Sequence, residues 1–183
     1  SLGEQAGGLS QALQGFKHPL ASRALDWDLA QAAWTSQYIH LFSEEQQQIV
    51  QFFQEPYMAF QEEYGQLRKS VVQNDANDNN VIVSHDLLDP KVNAIIDFGD
   101  AIHTQVINDL AIAIAYAVMG KPDPLSAALP VVEGYHGKCP LLEKELKFLY
   151  ILVAMRLVIS VTKSAINRER EPDNTYLLIS EKP

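Results

Sequence analysis

The sequence contains one cysteine and comparatively few basic residues. With Cys139 alone among 183 residues, no intrachain disulfide can form, and this cysteine usage is typical of a reducing compartment. Lysine and arginine total 14 against 23 aspartates and glutamates, which gives a formal net charge of −9. Because nucleic-acid binding needs clustered Lys and Arg to neutralise phosphates, this composition disfavours a nucleic-acid partner.

Long uninterrupted apolar runs and an N-terminal leader are also lacking. The longest apolar stretch, residues 148–161, contains Arg156. It is shorter than the ~20 residues that a membrane-spanning helix needs. No charged segment followed by an apolar run and a cleavage site opens the chain, so we expect no signal peptide. These absences favour a cytoplasmic protein without a membrane partner.

What the sequence does have is the composition of one well-cored globular domain, expected to span residues 1–183. Hydrophobic residues make up 47% and charged residues 20% of the chain, which are globular values. Apolar residues recurring every three to four positions predict several helices. The predicted helices cover residues 4–14, 26–42, a segment starting after Ser43, 105–119, 124–135 and 141–168.

Local signals refine two of these predictions. Gly7 and Gly8 weaken the first helix, because glycine disfavours helix interiors. Ser43 and Gln46 form a capping box at the start of the third helix, and Pro56 should kink or break that helix. The tail that follows residue 171 is expected to be an extended or docked segment.

The middle of the chain carries short strand-like runs instead. Residues 81–83 and 92–98 are rich in β-branched side chains and flank the loop SHDLLDPK, which predicts a hairpin. One hairpin is too small to form a layer by itself. The expected fold class is therefore mainly α (α+β), a helical bundle that carries a small β-hairpin.

Three polar side chains, Asp75, Asn80 and Asp97, lie at the ends of these runs. Burying them without partners would be costly, so we expect them to project into an open, wet cleft. Asp followed five residues later by Asn, with a second Asp after a hairpin, is the spacing at which kinases place a catalytic base and two magnesium ligands. The alternative is that all three are ordinary turn and cap residues, since Asp and Asn favour loops.

The motifs QNDANDNN, IIDFGD and NDLA resemble those of the C-terminal lobe in the aminoglycoside phosphotransferase and choline kinase superfamily. The superfamily pattern is H-G-D-x-H-x-x-N, then a strand that ends in I-D-F or I-D-W, then a D-L-A helix start. The segments LDWDLAQA and VVEGYHGKCPLLEKEL are similar to the hydroxylysine kinase-like subtype. In some proteins such a domain is fused ahead of a class III, pyridoxal-phosphate-dependent aminotransferase.

The resemblance implies a role for each matched residue. Asp75 stands at the position of the catalytic base, and Asn80 and Asp97 stand at the positions that bind Mg²⁺ and, through it, ATP. Asp109 stands where a carboxylate tethers the backbone of the catalytic loop. Gln73 replaces the usual histidine but could still form hydrogen bonds with the loop backbone.

The same resemblance implies partners. They are ATP and a small cationic or zwitterionic acceptor with a hydroxyl group, such as an amino alcohol or a hydroxy amino acid. Pyridoxal phosphate is expected only if a fused aminotransferase exists elsewhere.

Asn77 stands where many members have a second histidine. Asp100 and His103 are weaker candidates for a second metal-site carboxylate and a cleft residue.

A kinase also needs an N-terminal lobe with a Gly-rich loop, a Lys and a Glu, and no such segment precedes the helices. We therefore expect the C-terminal lobe of a longer protein, unable to turn over ATP by itself. A competing hypothesis is a non-catalytic kinase-like module that regulates a fused class III aminotransferase. The replacement of histidine by Gln73 is its main support.

Overall fold

The computed structural model describes residues 1–86 and 88–174, and most of the predicted tail lies outside them. Six α-helices, two 3-10 segments and four short strands make up this part of the chain, which confirms a mainly helical fold with small β elements. In chain order these are α1 (Leu2–Leu13), the 3-10 segments Pro19–Ala21 and Leu29–Leu41, α2 (Glu44–Ala59), α3 (Gln61–Gly65), β1 (Lys69–Val72), β2 (Val81–Val83), β3 (Val92–Ile95), β4 (Ile102–Gln105), α4 (Ile107–Val118), α5 (Pro124–Lys138) and α6 (Glu143–Arg170).

The four strands form two antiparallel pairs. β2 pairs with β3 and confirms the predicted hairpin, with Val81 opposite Ile95. The second pair, β1 with β4, places Val72 opposite Ile102 and was not predicted. Since the loop 73–80 joins β1 to β2 and the segment 96–101 joins β3 to β4, these registers bring both polar segments to the same end of the two sheets.

Helices α4 and α6 form the centre of the core. Nine consecutive residues of α4 are buried, from Ile107 to Ala115. Helix α6 has 28 residues and is long and apolar enough, by length and composition, to cross a membrane. However, 61% of its most apolar window is buried inside the fold, as expected for a core helix. The predicted helices 105–119, 124–135 and 141–168 match α4, α5 and α6, with ends that differ by at most three residues.

The backbones of α1 and α5 are in direct contact at two glycines of α1. A Cβ added at Gly3 would lie 2.0 Å from the Val131 carbonyl oxygen, and one at Gly7 would lie 2.6 Å from the Tyr135 carbonyl oxygen. Gly7 therefore permits this contact, while Gly8 has nothing within 4 Å of its added Cβ.

One local prediction is wrong, and of the two outcomes predicted at Pro56, a kink or a break, the break does not occur. The segment 26–42 is a 3-10 helix over Leu29–Leu41 instead of an α-helix. Thr35 and Ser36 donate their hydroxyls to the carbonyls three residues earlier, at 2.8 and 2.9 Å, which suits the tighter turn. Pro56 does not break α2, which continues to Ala59. The next residue, Tyr57, is buried and donates its hydroxyl to the Leu29 carbonyl at 2.6 Å, which holds the last turn in place.

Candidate active site

The loop 73–80 is anchored to α4 at its first residues. Asp109 is buried, and its Oδ1 accepts the Asn74 backbone N–H at 2.8 Å. Its Oδ2 accepts the Gln73 N–H at 3.4 Å and the Ser10 hydroxyl at 2.8 Å. The predicted role of Asp109 as the tether of the loop backbone is confirmed. Asn74 adopts a left-handed φ of 66°, at the position where the superfamily pattern has glycine.

Gln73 joins the two polar segments. Its Nε2 donates to the carbonyls of Ile96, at 3.0 Å, and Asp97, at 2.6 Å, while its Oε1 accepts the Asp75 N–H at 2.8 Å. A neutral imidazole also offers one donor and one acceptor, so glutamine can supply the same hydrogen-bonding functions. The expectation that Gln73 still binds the loop backbone is confirmed.

Asp75 lies at the centre of the loop with three side chains that donate to its carboxylate. Asn77 Nδ2 donates to Oδ2 at 2.9 Å, and Asn80 Nδ2 donates to the same oxygen at 2.8 Å. Arg156 Nη2 donates to Oδ1 at 2.8 Å. The Asp75 side chain keeps 20% of its surface exposed, so it remains reachable from solvent.

Burial changes the proton affinity of two carboxylates. Desolvation raises the pKa of Asp75 above its ordinary value, while the positive charge of Arg156 opposes this rise. The negative charge of Asp100 also raises the pKa of Asp75. Complete burial raises the pKa of Asp109, against the hydrogen bonds from Asn74 and Ser10. A raised pKa makes Asp75 a better proton acceptor than an exposed aspartate.

A backbone hydrogen bond brings the segment that contains Asp97 next to Asn80. The Ile96 N–H donates to the Asn80 carbonyl at 2.9 Å, so the residue after Ile96 lies beside the loop. Asp97 is exposed, has a left-handed φ of 60°, and accepts the Gly99 N–H on Oδ1 at 2.8 Å. Because the Asn80 amide nitrogen faces Asp75, its side-chain oxygen remains for another ligand.

The donor set of this site suits Mg²⁺. Asn80 and Asp97 offer amide and carboxylate oxygens, the hard ligands that Mg²⁺ prefers, and Mg²⁺ commonly keeps several waters. Within residues 1–86 and 88–174, no three His, Cys, Asp or Glu side chains are grouped as a metal site.

Arg156 was not among the predicted site residues. Its guanidinium is 2% exposed and lies over the rings of Trp27 and Tyr116, 4.5 and 5.5 Å from the ring centroids. Its Nη2 also lies 3.2 Å from the Tyr116 hydroxyl. The signal in the sequence was a single charge inside the apolar stretch 148–161, which suggested a buried helix but did not identify the partner of the charge.

His103, the candidate cleft residue, lies on β4 opposite Val71. It lines a pocket of about 370 Å³ together with Lys17, His18 and Val71, and none of Asp75, Asn80 and Asp97 lines that pocket.

Comparison with known proteins relates this geometry to a family. Residues 1–147 match the family described as "Phosphotransferase enzyme family". The chain belongs to this phosphotransferase family. The match extends from α1 into the start of α6, so it includes the loop 73–80 and Asp97 but not Arg156.

Similar members of the phosphotransferase family are named hydroxylysine kinase. The protein of Danio rerio is 30% identical over 187 residues, which is 98% of this chain and 53% of that protein. Those of Mus musculus and Xenopus laevis are 26% and 28% identical and are covered over 51% and 52% of their lengths. The chain thus spans about half the length of these relatives. No solved structure matches it.

Proposed function

We propose that this chain is the catalytic and acceptor-binding lobe of an ATP- and Mg²⁺-dependent kinase that phosphorylates a hydroxyl group of a small molecule. The observation that carries the proposal is the placement of Asp75. It lies at the centre of a loop tethered by Asp109, with Asn80 bonded to it and Asp97 beside that loop. A loop of turn residues alone would not need a buried carboxylate to hold two of its backbone N–H groups.

In the proposed reaction Asp75 accepts a hydrogen bond from the acceptor hydroxyl, orients its oxygen towards the γ-phosphate and takes its proton as the phosphoryl group transfers. Asn80 and Asp97 would hold Mg²⁺. When bound, the metal neutralises charge on the β- and γ-phosphates. Phosphoryl transfer depends mainly on positioning and electrostatics, and the fixed loop supplies the positioning.

The acceptor we propose is a hydroxylated amino acid or an amino alcohol. Relatives named hydroxylysine kinase support the first of these classes. The net charge of −9 is compatible with a cationic or zwitterionic acceptor.

A nucleotide-covering lobe would be supplied by polypeptide outside this chain. The chain spans about half the length of its relatives, which supports this part of the proposal. The Gly7–Gly8 pair lies inside α1, and Gly7 contacts α5, so it does not form a phosphate-covering loop. We therefore expect the isolated chain not to turn over ATP.

A non-catalytic module that regulates a fused aminotransferase is the less favoured function. Its support was the replacement of histidine by Gln73, yet Gln73 keeps three hydrogen bonds to backbone groups of both polar segments. Calorimetry of ATP with and without Mg²⁺ distinguishes the two functions. A non-catalytic module should show no metal-dependent nucleotide binding.

The test uses the full-length polypeptide that contains this chain, assayed for ATP consumption with hydroxylysine and with amino alcohols. Asp75→Asn should lower kcat by about 10²–10⁴-fold, the usual contribution of general acid–base catalysis. Asp78→Asn is the matched control, because Asp78 is an exposed carboxylate in the same loop. Equal turnover in wild type and Asp75→Asn would exclude Asp75 from the mechanism.

A further inference from the structure

Arg156 is a buried charge on a core helix. It is the one charged residue in the apolar stretch 148–161 and is 2% exposed on the core helix α6. Taking a guanidinium out of water is expensive unless a partner compensates, and an apolar side chain of similar volume would often be as stable. The residue therefore calls for an explanation other than packing.

The guanidinium is held in one orientation from several sides. It lies over the rings of Trp27 and Tyr116, and its Nη1 is 3.5 Å from the Trp27 carbonyl oxygen. Trp27 precedes the second 3-10 segment and Tyr116 lies on α4, so two elements besides α6 orient it. Within the described part of the chain its Nε has no hydrogen-bond partner. Nη2 donates to Asp75 at 2.8 Å and also lies 3.2 Å from the Tyr116 hydroxyl.

The hydrogen bonds of Asp75 identify which of its oxygens is open to a substrate. An ionised carboxylate has about two acceptor positions on each oxygen. Oδ2 accepts from Asn77 and Asn80 and is filled, whereas Oδ1 accepts from Arg156 alone among the described residues. The one remaining acceptor position is therefore on the oxygen that Arg156 holds.

We propose that Arg156 is a positioning residue, which fixes Oδ1 of Asp75 as the atom that accepts the hydrogen bond of the acceptor hydroxyl. This inference rests on the proposed kinase function. The two asparagines prevent rotation by holding Oδ2, and Arg156 sets the direction of Oδ1 at 2.8 Å. Arg156 lies beyond residues 1–147, so this support comes from α6 and not from the segment that matches the family.

The test measures kcat and KM in the full-length polypeptide for Arg156→Met, Arg156→Lys and a control, Arg68→Met. Arg68 forms the other ion pair with a buried partner, to Glu145 at 2.7 Å, and does not touch Asp75. Arg156→Met should lower kcat by about 10²-fold, as a misplaced reacting group does, and change the KM for ATP by less than about threefold. Arg156→Lys should recover part of kcat, since it restores a cation near Oδ1. Arg68→Met should keep kcat once its folded fraction is taken into account.

A second comparison uses the Asp75→Asn background. There Arg156→Met should lower kcat little further, because the group that it positions is already gone. Wild-type kcat in Arg156→Met, an equal loss in Arg68→Met, or a full further loss in the Asp75→Asn background would each overturn the inference. A wild type without acceptor-dependent turnover would instead overturn the proposed function, and the role of Arg156 with it.

Discussion

The contact between α1 and α5 makes adjacent glycines respond in opposite ways to the same substitution. In Gly7→Ala the added methyl carbon would lie 2.6 Å from the Tyr135 carbonyl oxygen and 2.9 Å from the Tyr135 Cα. Both are backbone atoms of α5, so no side-chain rotation relieves the clash and the two helices must separate. In Gly8→Ala the methyl group enters open space.

The magnitudes follow from helix propensity and overpacking. Alanine in place of a helical glycine should add about 0.5–1 kcal/mol to the free energy of unfolding, and Gly8→Ala should show this gain. Forcing a methyl group into a packed contact costs about 1–3 kcal/mol, so Gly7→Ala should lose about 1–2 kcal/mol in balance. Because Ser10 on α1 donates to Asp109, separation of the helices should also weaken the tether of the loop 73–80.

Urea unfolding followed by circular dichroism measures both variants. We expect a lower midpoint for Gly7→Ala than for wild type and a higher midpoint for Gly8→Ala, with unchanged slopes. Thermal melts should differ in the same order. Equal stability of the two variants would refute the claim that Gly7 is required for the approach of α1 to α5.

Two further predictions concern the tether of the loop. Asn74 is buried with φ 66°, and its side-chain amide lacks a hydrogen-bond partner in the described residues. Asn74→Gly should be more stable than Asn74→Ala by about 1–2 kcal/mol, because alanine keeps the cost of the left-handed backbone. Chemical denaturation of the two variants that gave the reverse order would contradict this. Asp109 has a folded-state pKa raised above 3.8 by burial, so the folded state holds its proton more tightly than the unfolded state. Wild type should therefore lose stability relative to Asp109→Asn as the pH rises from about 4. The measurement is the difference between the free energies of unfolding of the two proteins in urea. A difference that stays constant as the pH rises would refute the raised pKa of Asp109.

Much of the candidate site could be predicted because its signals are local. Asp75 and Asn80 share one loop, Asp97 follows the second strand of the hairpin, and Asp109 lies in the first turn of the next helix. Hydrogen bonds from Asn74 and Gln73 confirmed the role of Asp109, and bonds to Ile96 and Asp97 confirmed that of Gln73. The catalytic and metal-binding roles of Asp75, Asn80 and Asp97 remain predictions.

The pairing of β1 with β4 and the contact of Arg156 with Asp75 could not be predicted. β4 is four residues long and lies between a polar segment and a strong helix pattern, so its own sequence gives little strand signal. Arg156 is separated from Asp75 by 81 residues. A buried charge indicates that a partner exists, but it does not say which carboxylate the fold will bring to it.

The sequence by itself determined the mainly helical class, the hairpin, the extents of α4, α5 and α6 to within a few residues, and the kinase-like spacing of Asp75, Asn80 and Asp97. Hydrophobic periodicity, caps and turns act over a few neighbouring residues, and these features depend on such local interactions. Only the tertiary structure decided the 3-10 form of Leu29–Leu41, the close approach of α5 to Gly7, and the hydrogen bond from Arg156 to Asp75. Each of these arises where distant segments pack together, and there contacts between elements outweigh local preference.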